Sequence, residues 1–412
     1  MTGGAICGKP WATSTDNRMC RTHRSQAHVR VRCIFAAAVS LMITVILAPH
    51  AFSQTQRVER EIGFFRQVFD ETYEAGKAEF DRVALVGVGE AYYGFQYVLE
   101  ATLSMFEATA DIKYLEQVVN WAENMVSKAT IVDTKGNRNW RGIWQSPYAR
   151  EGIAFQLEDL QGATALARLC HIIVRDSRLR VAYGAKGEQI CTFVKRDVID
   201  KHLYQRGGEG WFLSDVSDKK HAMNDKAALM MRSLLFLYLS GEEGYRSIVH
   251  EMAQGFKARV EPYRGGLIWD LGRGFEGYSA LDTSHGNRYP YAALDYHLAG
   301  VVLTDEDMAG IAALLTKVIW NGSMVDPRFT NFIDGANGPY RNLGPWAAGY
   351  IYSGWVTLAQ VDRGVYEVGV ATLDAMRAGV RNPSIISMNN SYGRLAMAGH
   401  LAKALTLRKW RR

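Results

Sequence analysis

A chain of 412 residues that is 48% hydrophobic and 22% charged has the composition of an ordinary globular protein. Its formal charge of +6 is concentrated in the first 53 residues, where six lysines and arginines face a single acid, Asp16. The remainder is close to neutral, which argues against nucleic-acid binding, since that normally requires a strongly basic face.

The chain opens as an export leader does. Basic residues between Arg21 and Arg32 precede the apolar run Ile34–Leu47, and small residues follow at Ala51 and Ser53. Cleavage after Ser53 is expected, with Met19 an alternative start. The run is shorter than the ~20 residues of a membrane span, so an uncleaved anchor is the lesser alternative. The expected product is a secreted or periplasmic protein, one domain over 54–412, with no stable membrane insertion once the leader is removed. Cys7, Cys20 and Cys33 leave with the leader. Cys170 and Cys191 stay, and because both sit on apolar helical patterns they read as core thiols, with pairing as the alternative. No cofactor is implied, and no close-spaced metal pair is present.

From residue 57 on, helical periodicity dominates. Phe95, Val98, Leu99, Leu103 and Phe106 share one face; Leu115, Val118, Val119, Ala122 and Val126 share another. Ala110-Asp111 makes the tight connection between them. Similar pairs are predicted over 156–174 and 183–203, 221–239 and 243–257, 289–302 and 306–320, and 342–359 and 364–378. A first helix over 57–80 and a last over 391–407 lack partners in sequence, and pairing them would close a ring. The fold class expected is all-α, an (α/α) toroid of about six helical hairpins.

Connections inside these pairs are short, whereas those between them (129–155, 204–220, 258–288, 321–341) are long. In a ring of hairpins all the long loops share one rim. They carry the aromatic residues Trp140, Trp144, Trp211, Trp269 and Trp346, which suit stacking on sugar rings, and functional residues gather on loops held by a rigid scaffold.

One stretch on that rim concentrates chemistry: Asp282-Thr-Ser-His-Gly-Asn-Arg-Tyr-Pro-Tyr291. His285 is a candidate proton acceptor. Arg288 is a candidate carboxylate binder and Tyr289 and Tyr291 are phenolic donors. Asn224, at the start of the third pair, is either an amide ligand for a carboxylate or a helix cap. Tyr340 and Arg341 open the fifth pair, where the arginine can lower the phenol pKa. Carboxylates form a competing constellation: Asp270, Glu276 and Asp282 in the third long loop, and Glu151, Glu158 and Asp159 around the second pair. A glycoside hydrolase would need two of them.

The ring of hairpins, Asn224-Asp225 at an inner-helix start, the Ser284-His285-Gly286 run and Tyr340-Arg341-Asn342 together resemble the α/α-toroid polysaccharide lyases. The nearest likeness is the glucuronan lyase-like group, polysaccharide lyase family 38. That resemblance implies β-elimination on a uronic-acid-containing polysaccharide or oligosaccharide. Asn224 and Arg341 (or Arg288) would neutralise the uronate, His285 or Tyr340 would take the C5 proton, and Tyr340 or Tyr289 (or Tyr350) would protonate the leaving oxygen. Trp140, Trp144, Trp211, Trp269, Trp346, Arg288 and Tyr291 would line the substrate cleft. The alternatives are a six-hairpin glycoside hydrolase and a non-enzymatic glycan-binding envelope protein.

Overall fold

The computed structural model describes residues 26–142, 156–203, 225–272, 279–338 and 349–407, with side chains from residue 55 onward except at 225. The chain divides into two compact units, one ending at Val58 and one beginning at Glu59. The second unit holds the helical ring and the candidate site.

The helices are α1 (Gln26–Ala84), α2 (Gly89–Thr109), α3 (Ile112–Ser127), α4 (Gln156–Arg175), α5 (Ser177–Thr192) and α6 (Lys201–Leu203), the last two joined by a π-helical stretch, Phe193–Asp200. Then come α7 (Asp225–Leu239), α8 (Arg246–Lys257), α9 (Thr283–Gly286), α10 (Arg288–Leu298) and α11 (Asp305–Leu314). The chain ends with α12 (Gly354–Thr357), α13 (Arg363–Arg377), α14 (Pro383–Met388) and α15 (Ser391–Leu407). Their ends follow capping chemistry. Asp111, Asp176, Asp362 and Asn382 each accept a backbone N–H of the first turn, and Thr304 with Asp307 forms a reciprocal capping box.

Burial separates two layers. α2, α4, α7, α10, α12 and α15 are buried almost all round, as helices with neighbours on every side must be. They pack in sequence, α2 on α4, α4 on α7, α7 on α10, α10 on α12, α12 on α15, and α15 returns to α2. α3, α5, α8, α11 and α13 bury one face each. The second unit's part of α1 joins this outer layer. Its Phe69 meets Tyr114 of α3 (centroids 5.5 Å apart), and Tyr366 of α13 donates to its Glu61 at 3.0 Å. The fold is therefore an all-α toroid, with six inner helices inside six outer ones among the described residues.

Three expectations are corrected. The loop 258–288 contains a hairpin, β1 (Val260–Tyr263) on β2 (Gly266–Trp269), whose two-residue turn has positive φ at both Arg264 (47°) and Gly265 (78°). Of the inner helix expected over 342–359, the described residues form one α-helical turn, Gly354–Thr357. Ser353, at φ 89°, breaks the helical path immediately before it, so residues 349–353 run as non-helical chain into the ring. Cys170 and Cys191 are joined by a disulfide between α4 and α5, with Cα atoms 5.7 Å apart, because the short Asp176 connection brings facing turns together. A second two-stranded piece, Ile131–Val132 with Arg138–Asn139, stands in the 129–155 loop.

Candidate active site

Every inner helix before α15 starts on the rim that carries the long connections, so the N-terminal turns of α2, α4, α7, α9–α10 and α12 share one end of the lumen. On α4, Gln161 and Arg168 face the lumen. Glu158 lies three residues before Gln161 and ten before Arg168, hence on the same stripe at the rim. Asp159 is one position round. It turns outward, where its Oδ2 meets Lys201 Nζ at 2.6 Å and His202 Nε2 at 2.9 Å. Although burial pushes the Asp159 carboxyl up, Lys201 and His202 outweigh it and hold the value below the usual range. The Glu158 carboxylate lies against the start of α2. A Cβ on Gly89 would stand 2.6 Å from Glu158 Oε2, so glycine is what leaves room for it.

Asp282 and His285 form the best-defined pair on the rim. His285 Nδ1 is 2.5 Å from Asp282 Oδ2, while Asp282 Oδ1 accepts the backbone N–H groups of Ser284 and His285, both at 3.0 Å, and the Ser284 hydroxyl. Asp282 thus caps α9 and orients the imidazole together. Burial raises its carboxyl, but His285 and these donors outweigh that and bring it down to about 2. With Nδ1 committed to Asp282, Nε2 is the ring nitrogen on the other side of the imidazole, and 11% of the side chain stays accessible. The backbone around the pair is fixed from outside. Thr283 N donates to Asn331 O at 2.7 Å, Ile333 N to Leu281 O at 3.0 Å, and Trp355 Nε1 to Thr283 O at 3.0 Å. The start of α12 presses so close that a Cβ on Gly354 would lie 1.5 Å from Asn287 O.

One turn below His285, Arg288 crosses the lumen. Its Nε donates to Gln161 Oε1 on α4 at 2.8 Å and its Nη2 to the Tyr93 hydroxyl on α2. Gln161 Nε2 in turn donates to Gln96 Oε1 at 2.7 Å. This layer spans the lumen one turn below the rim and forms its floor. Beneath it the lumen is filled by charge. Tyr291 donates to Glu100 at 2.6 Å and accepts from Arg168 at 2.9 Å, and Arg232 bridges Glu100 (2.8 Å) and Asp295 (2.7 Å). Glu107 closes the far end against Arg168 and Lys403.

Of the residues expected in the site, the structure brings His285 and Arg288 to the rim and the lumen floor. Tyr291 lies a layer deeper, in the charged plug. Tyr289 faces away from the lumen, stacked on Phe256 with centroids 4.9 Å apart and planes at 9°. Trp140 and Trp269 are core residues, each 2% exposed or less. Trp140 donates to Met125 O at 2.8 Å, and Trp269 packs on Trp355 and Phe256. Their loops return to the helical layer, so these two indoles pack inside it. Asp270 is also buried, paired with Arg259 at 2.5 Å. Asn224, Tyr340, Arg341, Trp144, Trp211, Trp346, Glu151 and Glu276 lie outside the described residues.

Sequence reasoning offered Tyr350 as an alternative proton donor and missed Tyr93, Tyr97 and Tyr352. Tyr350 stacks on Tyr352 (4.9 Å, 14°), and Tyr97 meets Tyr352 edge-on (5.2 Å, 77°). Tyr93 and Ser284 stand beside Tyr350, so this group borders both the Arg288 floor and the Asp282–His285 pair. Burial holds the Tyr350 phenol far above its ordinary value. The Tyr92-Tyr93 and Tyr350-Ile351-Tyr352 doublets were the available signal.

No protein-family model and no curated protein matches the sequence. Among solved structures, the chain is similar to two inactive variants of the α-1,6-mannanase GH76A of Salegentibacter sp. HEL1_6. In the complex with α-1,6-mannotriose the identity is 13%, the match covers 84% of this chain and 100% of that one, and the TM-score is 0.49. In the complex with α-1,6-mannotetrose the identity is again 13%, with 77% and 89% covered and a TM-score of 0.45. Both neighbours are glycoside hydrolases of the α/α-toroid type, and neither is a polysaccharide lyase. The resemblance to polysaccharide lyase family 38 is corrected on that finding, and the lyase activity and β-elimination are withdrawn with it.

Proposed function

We propose that the protein is a glycoside hydrolase that cleaves a polysaccharide at the rim of the toroid. The observation that carries this reading is an imidazole locked by its own carboxylate, His285 on Asp282, at the lumen end where α4 also places the carboxylate of Glu158, against the start of α2. Hydrolysis needs a proton donor for the glycosidic oxygen and a base for the attacking water on the other side of the sugar. Asp282 is held ionised and orients the imidazole, and in this reading Glu158 is assigned as the donor and His285, through Nε2, as the base. Glu158 gives its proton to the leaving oxygen as the bond to the anomeric carbon breaks. Water adds to that carbon and its proton passes to His285, whose imidazolium Asp282 stabilises. Arg288, with Gln161 and Tyr93, meets the sugar at the floor, and its cation suits an acidic residue in the glycan. Export follows from the leader, and the Cys170–Cys191 bond fits an oxidising compartment.

The test is product analysis with the mature protein on a panel holding both α-1,6-mannan and polyuronates. New reducing ends without an unsaturated uronate support the reading. A glycan that binds but yields no product in any member of the panel would favour a binding protein instead.

A further inference from the structure

We infer that Tyr350 is the sugar-stacking platform of this cleft, a specificity-determining residue that extends the hydrolase reading above and rests on it. Tyr350 and Tyr352 form a near-parallel pair (4.9 Å, 14°). The inner ring, Tyr352, is 8% exposed and is wedged by Tyr97, whereas Tyr350 is only part-buried. Tyr350 keeps part of its surface accessible beside the Asp282–His285 pair, and the apolar face of a pyranose has the size and chemistry to stack on such a ring.

The segment carrying the pair is built to hold still. A Cβ on Gly349 would lie 2.2 Å from Phe329 O, so residue 349 is pressed onto the 329–330 backbone. Val356 N reaches back to Ile351 O at 3.1 Å and Thr357 N to Ser353 O at 3.2 Å. Ser353 keeps a left-handed φ of 89° that a serine adopts only when its surroundings impose it. The contacts that impose this φ also fix the turn from Tyr352 into α12, as a rigid platform at a binding site needs. The Ser284 hydroxyl beside Tyr350 links the platform to the Asp282–His285 pair, so a ring stacked there is presented to the reacting groups.

A role in stacking separates cleanly from a role as proton donor, because phenylalanine keeps the ring and loses the hydroxyl. Calorimetric titration would use defined tetrasaccharides, one α-1,6-mannan-derived and one glucuronan-derived, with wild type, Tyr350→Phe and Tyr350→Ala. At least one tetrasaccharide is expected to bind wild type. Tyr350→Phe should bind it within about threefold and Tyr350→Ala at least about tenfold more weakly, with thermal stability of the two variants within a few degrees of each other. On the substrate turned over, KM should rise in Tyr350→Ala while kcat falls far less. Equal affinity of Tyr350→Ala and wild type, loss of binding in Tyr350→Phe, or no saturable binding of either sugar by wild type would overturn the inference. Binding that depends on the Tyr350 ring without hydrolysis of any polysaccharide would instead sink the hydrolase reading and leave the platform standing.

Discussion

Asp282 shows how one side chain can serve both fold and chemistry. It closes the first turn of α9 and fixes the imidazole that the proposed reaction uses. Its carboxyl is lowered from an ordinary 3.8 to about 2 on folding, a difference worth on the order of 2 kcal/mol. Because the folded value is the lower one, that stability is fully present above about pH 4 and is lost as pH falls from about 4 towards 2. Asp282→Asn should therefore lower the unfolding free energy at neutral pH and flatten the acid limb of the stability curve, measurable by urea titration across pH. An acid limb unchanged in the variant would contradict the assignment. This pair was within reach of the sequence, since residues 282 and 285 are three apart at a helix start. Arg288 with Tyr93 and Gln161 was not, because those contacts span 195 and 127 residues and depend on ring closure. Tyr289 was misplaced for a local reason. It follows Arg288 by one residue, so a helix that aims the arginine into the lumen must turn the tyrosine away from it.

The elements were legible where periodicity was strong and illegible where backbone conformation departed from it. The hairpin helices and the alternation of short and long connections follow from apolar stripes and capping residues. The short α12 does not, because nothing in the composition of 342–359 announces a left-handed Ser353. The β1–β2 hairpin could have been found from Arg264-Gly265-Gly266 between two strand-like runs. The disulfide illustrates the limit of pattern alone: two cysteines on apolar stripes look like core thiols until the helices are known to face one another. The bond closes a span of 21 residues between α4 and α5, for which a contribution of about 3 kcal/mol is expected. Reduction, or Cys170→Ala with Cys191→Ala, should lower the melting temperature by several degrees while the protein still folds. Equal melting temperatures with and without reductant would show that the pair does not form in solution.

At the largest scale, the second unit is a ring whose lumen, among the described residues, is filled by charge rather than by apolar side chains. Glu100, Arg168, Arg232, Tyr291, Asp295, Glu107 and Lys403 neutralise one another in a space nearly closed to water. Arg232 also lies over the Tyr291 ring at 3.4 Å. Burial lifts the Asp295 carboxyl, whereas Arg232 and Arg168 pull the Glu100 carboxyl below the usual range despite its burial. Removing one cation from such a cluster leaves an uncompensated buried charge, at a typical cost of about 3–5 kcal/mol. Arg232→Met should thus destabilise the fold by about that amount, read as a shift in the denaturant midpoint. A variant as stable as wild type would mean that water reaches the plug. The plug supports the layer in which Arg288 and its partners stand.

The most direct test of the hydrolase reading compares wild type with Glu158→Gln on the panel polysaccharide that wild type degrades. Reducing ends and unsaturated uronate are measured together, and circular dichroism checks the fold. Wild type is expected to release reducing ends with no unsaturated product, and Glu158→Gln, still folded, to lose at least about 10²-fold in rate. Unsaturated uronate from wild type, or full activity in Glu158→Gln, would contradict that reading.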